Sequence, residues 1–340
     1  MSVGLDIGSK TIKIVELVKE ANLVRLQGSG IIGYSGTPPE TLENDKDFSS
    51  LAQVIRKLHS EARISRKEVV VSLPEPLVFT RTVKFPLLTD AEVASAVKWE
   101  AEQYIPIPVN EAILQHQILE KKETATPPEV LVLLVAAPRT LIEKYLKVVS
   151  LAGLNVIAAE TQLMALCRAL APQKKTVMIV DFGAKSTNIA ISKNTQLVFS
   201  RSVATAGEAF TRAISQNLTM EAKQAEEYKK AYGLSVSQQE GKVGQALRPI
   251  FAIVAEEIKK AIHFYQTEEK GEPPSAVVLA GGTSGMPGIV PALSGLLGME
   301  VIIGNPFTKV VVDPSVAKAL LSYQPLYSVA VGLGLREEES

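Results

Sequence analysis

The chain has 340 residues, of which 46% are hydrophobic and 21% charged, and its 36 basic residues balance its 36 acidic ones. This composition is that of an ordinary globular protein and excludes disordered and collagen-like classes. With zero net charge, no overall field draws the chain onto nucleic acid or an anionic membrane, so we expect no nucleic-acid partner. No apolar run approaches the roughly 18 residues of a membrane-spanning helix, so we expect no direct membrane insertion. One cysteine excludes an intrachain disulfide and favours a reducing compartment, and three histidines without a cysteine cluster argue against a zinc site.

The first part of the chain predicts alternating strands and helices. Apolar and polar residues alternate from Val3 to Leu17 and break at Gly8 to Lys10, which indicates a strand, a tight turn and a second strand. The further predicted elements are strands at 23–32, 68–73, 77–85, 112–119, 130–136 and 155–158, and helices at 48–61, 90–104, 138–152 and 161–170. Asp90 is the expected N-cap of its helix, and 120–129 is expected to be a polar hairpin loop. The segment 77–153 therefore forms a small α+β unit.

After a short linker at 172–175 the pattern begins again. Strands are predicted at 176–180, 187–192, 196–202, 276–279 and 301–303, and helices at 207–218, 220–232, 243–266, 288–297 and 328–332. The charged run at 221–230 is interpreted as the solvated face of a helix.

An internal repeat links the two parts. The nine residues from Asp6 to Ile14 align without gaps to Asp181 to Ile189, 175 positions later. Each copy places a carboxylate at the end of a strand and a glycine two residues further on. Two copies in two similar halves predict a duplicated α/β domain with a cleft between the halves.

The chemistry of these residues suits a polyphosphate. A glycine-containing hairpin turn can come close to phosphate, and its backbone N–H groups form a nest for anionic oxygens. A strand-end aspartate can hold magnesium through water, and a lysine adds a positive charge. We therefore predict Asp6 and Asp181 as metal ligands, with the phosphates held by Gly8, Ser9, Lys10 and Lys13 on one side and by Gly183, Ala184, Lys185 and Ser186 on the other. The alternative is two ordinary hairpin turns.

A third motif follows a later strand. The predicted strand ending near Ala280 runs into Gly281 and Gly282, and a helix begins soon afterwards. Such a turn lets the backbone pass flat against an adenine or ribose, although it could also be a simple glycine-rich loop. The residues predicted to contact the nucleoside here are Gly281, Gly282, Thr283 and Met286.

These motifs carry a family resemblance. Asp6-Ile7-Gly8, Asp181-Phe182-Gly183-Ala184 and Ala280-Gly281-Gly282 resemble the two phosphate motifs and the adenosine motif of the actin-like ATPase superfamily, which includes actin, sugar kinases, heat-shock chaperones and FtsA. Within it, the chain most resembles the PilM family of type IV pilus assembly. That resemblance rests on residues 3–17, on Phe199-Ser200-Arg201, on 225–229, and on 257–260 with Phe264-Tyr265.

The resemblance implies a fold and its division. We expect an α/β protein with duplicated actin-like, ribonuclease-H-like domains around a nucleotide cleft and a small α+β subdomain inserted in the first half. Residues 1–76 and 154–172 would form the first subdomain, with 320–340 returning to it. Residues 77–153 would form the inserted subdomain, and 173–319 the second half, with a helical part at about 212–265.

The resemblance also implies ligands and roles. ATP and Mg²⁺ would occupy the cleft, and Glu257 and Lys260 would contact the ribose and purine. Glu160 and Gln162 stand where related ATPases orient the attacking water. Because a glutamine activates water less than the glutamate usual there, we expect at most slow ATPase activity.

The implied partner is a membrane protein. PilM-like proteins recruit the N-terminal cytoplasmic tail of a PilN-like inner-membrane protein into a groove between the first and inserted subdomains, and further proteins of the pilus machinery are expected partners. The chain would be cytoplasmic and peripheral at the inner membrane through this partner. FtsA-like proteins end in a basic amphipathic membrane helix, whereas the last residues of this sequence are acidic and do not match that pattern.

Two alternatives belong to the same superfamily. One is an FtsA-like protein that forms polymers in cell division. The other is a small-molecule kinase, which would need a polar substrate pocket and an aspartate base near the γ-phosphate. No aspartate between the first phosphate motif and the linker stands in a suitable turn.

Overall fold

A computed structural model describes residues 2–124, 126–235 and 241–337. Within them the strands are β1 (Val3–Ile7), β2 (Thr11–Glu20), β3 (Leu23–Gly33), β4 (Glu68–Leu73), β5 (Phe79–Pro86), β6 (Ala112–Lys122), β7 (Glu129–Pro138), β8 (Asn155–Thr161), β9 (Thr176–Phe182), β10 (Thr187–Lys193), β11 (Gln196–Val203), β12 (Val277–Ala280) and β13 (Val301–Ile303). The α-helices are α1 (Asp45–Glu61), α2 (Asp90–Tyr104), α3 (Arg139–Leu151), α4 (Gln162–Leu170), α5 (Gly207–Leu218), α6 (Ala222–Tyr232), α7 (Lys242–Thr267), α8 (Ile289–Leu297), α9 (Pro314–Leu321) and α10 (Gln324–Gly334). None of these helices is long and apolar enough to cross a membrane.

Two five-stranded sheets share one topology. The first sheet has the order β3-β2-β1-β4-β8, and the second has the order β11-β10-β9-β12-β13. In the first sheet β1, β2 and β3 form an antiparallel meander, and β4 and β8 run parallel to β1. In the second sheet β9, β10 and β11 form the same meander, and β12 and β13 run parallel to β9. The repeat read from the sequence is therefore a repeat of whole sheets.

The inner faces of both sheets meet a common helical layer. Along β9, Met178 and Val180 pack into the core formed by α7, whereas the alternate residues Val177 and Ile179 pack against α4 and α10. Asp181 has the same parity as Val177 and Ile179 and so lies on the inner face. In β1 the outer-face residues pack against α1 and α3, which leaves Asp6 on the inner face. This alternation brings the two carboxylates toward each other.

The helices between the sheets pack unusually closely. A Cβ built at Gly332 of α10 would lie 2.0 Å from the carbonyl oxygen of Ala165 in α4. Only glycine permits this approach, so Gly332→Ala would push the two helices apart.

A third sheet is inserted between β4 and β8. It has the order β5-β7-β6 and carries α2 on one face, through Val93, Val97 and Ala101. Its edge strand β5 lies beside β11, the edge strand of the second sheet. The Thr82 hydroxyl donates a hydrogen bond to the Val198 carbonyl across this contact, at 2.7 Å. The inserted sheet therefore touches both halves of the molecule.

The predicted elements agree with the structure within a few residues, with three exceptions. Asp90 is not the cap of α2: the Thr89 side chain accepts from the Glu92 N–H, and the Glu92 carboxylate accepts from the Thr89 N–H at 2.8 Å. The expected loop at 120–129 is shorter, because β6 continues to Lys122 and β7 begins at Glu129. The sequence reading also missed α9, which an Asp313 side chain caps.

Candidate functional site

Both repeat hairpins line one cleft between the two large sheets. The cleft has a volume of about 1620 Å³. The predicted residues on its walls are Asp6, Gly8, Ser9, Lys10, Lys13, Gln162, Asp181, Gly183, Ala184, Lys185, Ser186, Gly281, Gly282, Thr283 and Met286. The prediction that Asp6 and Asp181 face a common cavity is confirmed. Their roles toward a ligand remain predictions.

The first hairpin joins β1 to β2. The Gly8 N–H donates to the Thr11 carbonyl at 3.1 Å, and a Cβ at Gly8 would lie 2.9 Å from the same oxygen. Asp6 and Lys13 are register partners across the two strands, so their side chains share one face. The Lys13 Nζ lies 3.0 Å from one Asp6 oxygen, and the Ser72 hydroxyl donates to the other at 2.8 Å. Both oxygens of this buried carboxylate are thus satisfied.

The second hairpin joins β9 to β10 with the same turn. The Gly183 N–H donates to the Ser186 carbonyl at 3.1 Å. Asp181 again faces its register partner, but that partner is Asn188, whose amide nitrogen lies 3.5 Å from the carboxylate. Burial, with the nearby charge of Asp6, raises the pKa of Asp181 to about 6 despite the lowering influence of Lys13 and Asn188.

The N-terminus of α5 closes over the second hairpin. The Gly207 N–H donates to the Gly183 carbonyl at 3.1 Å, and the Glu208 N–H donates to the Ala184 carbonyl at 2.8 Å. The Glu208 carboxylate also reaches across the cleft to Lys10 of the first hairpin, 2.9 Å away. This exposed ion pair bridges the mouth of the cleft.

Gly281, directly after β12, lies on the cleft in a position that only glycine can occupy. Gly281 has a φ of +82°, and a Cβ there would lie 2.4 Å from an Asp181 oxygen and 2.6 Å from the Phe182 carbonyl. The glycine lets the backbone cross directly beside the second carboxylate. The sequence predicted a backbone approach to an adenine or ribose; the approach seen here is to Asp181 and Phe182, and the nucleoside contact stays a prediction.

Helix α6 supplies cleft residues that the sequence reading missed. Its lining side chains are Lys223, Glu226, Lys229 and Lys230. Lys229 is buried, and its ammonium donates to the Gly207 carbonyl at 2.9 Å and to Glu226 at 2.7 Å. Burial lowers the pKa of Lys229. The interpretation of the run 221–230 as a solvated face is wrong for this side of the helix. The sequence signal for this inward face was the apolar Ala225 within the charged run, four residues before Lys229 on the same helix face; the structure buries both side chains.

Comparison with known proteins identifies the family. A family model described as type IV pilus assembly protein PilM matches residues 4–338. The chain belongs to the PilM family. A solved chain of a PilM–PilN type IV pilus biogenesis complex superimposes on it with a TM-score of 0.84 and 28% identity, and the alignment covers 98% of both chains. The expected actin-like fold and family are both confirmed.

More distant relatives share the fold. The cell division protein FtsA of Enterococcus hirae is 24% identical over 342 residues, which cover 88% of this chain and 77% of FtsA. MreB5 of Spiroplasma citri, solved bound to ADP, superimposes with a TM-score of 0.53 at 13% identity and covers 97% of this chain and 94% of its own.

Two residues assigned from the PilM resemblance lie outside the cleft. Glu257 pairs with Arg201 of β11 and, at 2.8 Å, with Lys260 on the next turn of α7. Neither Glu257 nor Lys260 lines the cavity. Glu257 and Lys260 point away from the cleft because the apolar face of α7, with Val254 and Ile258, packs into the core. The charged face of the helix therefore lies toward β11 and solvent. The assignment of these two residues to ribose and purine is corrected; Glu226, Lys229 and Lys230 of α6 stand on the cleft instead.

Of the two residues expected near the attacking water, Gln162 lines the cleft and Glu160 does not. Glu160 is buried and accepts two hydrogen bonds from Arg168, at 2.6 and 2.7 Å, and one from Arg336 at 3.0 Å. It ties β8 to α4 and to the end of α10, and it does not line the cleft. Gln162, at the first position of α4, does line it. A catalytic role for Glu160 is therefore corrected, because its side chain does not reach the cleft in which the nucleotide is expected.

Proposed function

We propose that this chain binds ATP with Mg²⁺ in the cleft and uses the nucleotide to hold its two halves in a defined arrangement. The observation that carries the proposal is a pair of turns with the same backbone hydrogen bond, each preceded by a buried strand-end carboxylate, on the walls of one cavity. Their backbone N–H groups suit phosphate oxygens. MreB5, which shares the fold, was solved with ADP.

The carboxylates fit magnesium held mainly by water and phosphate. Asp6 and Asp181 stand on opposite walls, and no group of three or more metal-ligating side chains occurs in the described residues. Mg²⁺ commonly uses one or two carboxylates together with waters and substrate phosphates. Bound magnesium would supply positive charge between the phosphates and these two aspartates.

The helix α6 provides the chemistry for the nucleoside. Lys229 and Thr211 both donate to the Glu226 Oε2 oxygen. Among the described residues, Oε1 has only Lys230, at 3.7 Å, and can accept from a ribose hydroxyl. Lys230 is an exposed cation on the same cleft wall. Gly282 and Met286 also line the cleft, and Met286 lies against Gly233 at the C-terminal end of α6. We assign the ribose and purine to the space between α6 and these residues.

Hydrolysis in this site would be slow. Gln162 is the residue at the start of α4 that faces the cleft, and an amide can orient water but accepts no proton from it. The bound nucleotide would act chiefly as a ligand that shapes the protein.

We further propose that the chain captures the N-terminal cytoplasmic tail of a PilN-like membrane protein. The similar chain was solved in a PilM–PilN complex. The groove we assign to the tail lies between the first sheet and the root of the inserted sheet, where Pro76 and the half-exposed Leu77 line an extension of the cleft. Other proteins of the pilus machinery would join through this assembly.

The inserted sheet gives the nucleotide a way to shape that groove. Besides the Thr82 contact with β11, Lys193 of β10 pairs with Glu120 of β6 at 3.0 Å, and Lys84 of β5 pairs with Glu269 at 3.7 Å. When ATP closes the two halves, the second sheet would carry the inserted sheet with it. The groove between the inserted and first sheets would then change shape, which favours one tail-binding state.

A calorimetric titration with ATP and Mg²⁺ tests the nucleotide proposal. We expect wild type to bind, Asp6→Ala to show no measurable binding, and the surface variant Glu61→Ala to bind as wild type does. Unchanged affinity in Asp6→Ala would remove the nucleotide proposal.

A peptide titration tests the partner. A labelled synthetic peptide of the N-terminal residues of the neighbouring pilus membrane protein is followed by fluorescence anisotropy, with and without ATP and Mg²⁺. We expect binding that tightens with the nucleotide. Absence of binding in both states would refute the partner and leave the family assignment intact.

A further inference from the structure

Part of the cleft lining lies outside the duplicated motifs. It is walled by residues of the first half and by the root of the inserted sheet, namely Ile31, Gly33, Glu40, Pro76, Leu77 and Tyr145. We call this set the side arm. None of these residues belongs to the phosphate or adenosine motifs, so the nucleotide proposal leaves the side arm unexplained.

The first unexplained group is the hydroxyl of Tyr145. This residue of α3 is 1% exposed, yet its hydroxyl forms no hydrogen bond with any described residue. Buried tyrosine hydroxyls normally have a partner. Burial, with the charges of Glu40 and Asp6, keeps the pKa of Tyr145 well above its usual value, so the hydroxyl keeps its proton. Lys144, the neighbour of Tyr145 on α3, donates to the Glu40 backbone carbonyl at 3.0 Å, so Glu40 lies beside this helix, and Asp6 lines the same cavity.

The second unexplained group is the carboxylate of Glu40. It is only partly exposed and makes no ion pair or hydrogen bond within the described residues. The nearby lysine does not neutralise it, because the Lys144 ammonium donates to the Glu40 backbone carbonyl, at 3.0 Å. A partly buried carboxylate without a partner favours binding of a cation.

The third feature is an apolar wall. Leu77 is 44% exposed and, with Pro76, lines the same cavity as these polar groups. A carboxylate, a hydroxyl oxygen and an aliphatic wall together match a side chain with a long apolar stem and a cationic head.

We propose that the side arm receives a lysine or arginine side chain of the captured tail. Its cationic head would lie at the Glu40 carboxylate and the Tyr145 hydroxyl oxygen, and its stem on Leu77 and Pro76. This inference rests on the proposed capture of a membrane protein's cytoplasmic tail. Such tails are rich in lysine and arginine close to the membrane, so a cation is the expected occupant.

The position of the side arm makes the tail and the nucleotide mutually favourable. Asp6 belongs to the phosphate site and lines the same cavity as Tyr145 and Glu40. A cation bound there adds positive charge close to the nucleotide's phosphates. By thermodynamic linkage, each ligand then raises the affinity for the other by the same factor.

The test uses the full-length protein and the labelled tail peptide. We expect Glu40→Gln to weaken peptide binding at least tenfold and to leave ATP–Mg²⁺ affinity without peptide unchanged. Glu143→Gln, an exposed glutamate on α3, is the matched control and should bind the peptide as wild type does. Tyr145→Phe should weaken the peptide about threefold with unchanged circular dichroism.

A second peptide identifies the occupant. Replacing its basic residues one at a time with norleucine should weaken binding to wild type for one position and cause no further loss in Glu40→Gln at that position. Equal peptide affinity of wild type and Glu40→Gln would overturn the side-arm assignment while the partner proposal stands. A loss of ATP affinity in Glu40→Gln without peptide would also overturn it, because Glu40 would then belong to the nucleotide site. If wild type binds no peptide, the partner proposal and this inference fall together.

Discussion

The two hairpins of the cleft have the same backbone and different electrostatics. The hydrogen bond that closes each turn is 3.1 Å long, and each aspartate faces the residue seven positions later across an antiparallel pair. That residue is Lys13 in the first hairpin and Asn188 in the second. One substitution at an otherwise equivalent position therefore gives Asp6 an ion-pair partner and leaves Asp181 with a long amide contact and a pKa of about 6. The repeat conserves the shape of the turn and lets the charge differ.

This difference gives the two hairpins different charge balances before a ligand binds in the proposed site. The first hairpin has its negative charge balanced before any ligand arrives, because Lys13 lies on Asp6. The second hairpin gains a full balance only when a cation such as magnesium enters. Metal binding should therefore lower the raised pKa of Asp181 and alter the charge balance of the second hairpin more than that of the first.

Removal of Lys13 should have the largest effect on stability. Lys13→Met leaves Asp6 buried with only Ser72 as a partner, and we expect a loss of about 3 kcal/mol in the free energy of unfolding at pH 7. At the equivalent position, Asn188→Ala should cost about 1 kcal/mol, because it removes a long 3.5 Å contact to the Asp181 carboxylate and one neutral hydrogen bond from Ser202. Urea unfolding of both variants measures the difference, and equal losses would show that the two hairpins are not electrostatically distinct.

The second prediction concerns pH. Asp181 titrates near its ordinary pKa of 3.8 when unfolded and at about 6 when folded. Between these values the unfolded chain loses its proton first, so the unliganded protein loses stability as the pH rises from about 4 to 6. The total is about 3 kcal/mol, and stability does not change further above pH 6 from this group.

Comparison with Asp181→Asn isolates this contribution, since other groups titrate equally in both proteins. The free energy of unfolding of wild type minus that of Asp181→Asn should fall between pH 4 and pH 7. Asn188→Lys, which copies the first hairpin, should reduce this fall. A difference that is flat with pH would contradict the assignment.

The smallest expected effect is at the mouth of the cleft. Glu208→Gln should change stability by less than about 1 kcal/mol, because its pair with Lys10 is exposed. It should raise ATP affinity about fivefold, since it frees Lys10 and removes a carboxylate near the phosphates. Calorimetry measures the change. Lys185 occupies the same position in the second hairpin as Lys10 and forms no ion pair within the described residues, so Lys185→Ala should lower affinity without releasing a competing carboxylate. Unchanged affinity in Glu208→Gln would show that the pair does not compete with phosphate.

The amino-acid sequence alone determined the repeat, the turn chemistry and the order of the elements. Strand alternation, glycine at the turns and a gapless match 175 residues apart are local properties, and the fold built from them agrees with the structure. The same reasoning placed Gly281 beside the cleft, because a glycine pair after a buried strand indicates close backbone approach.

Only the tertiary structure decided which charged side chains face the cleft. Glu226 and Lys229 on α6 have the same three-residue spacing as Glu257 and Lys260 on α7, and both helices are amphipathic. Spacing fixes which residues share a helix face, but the packing of that helix against distant elements fixes where the face points. The same holds for Glu160, whose partner Arg336 lies 176 residues away in the chain. Contacts over such distances form only when the sheets assemble, so no local pattern specifies them.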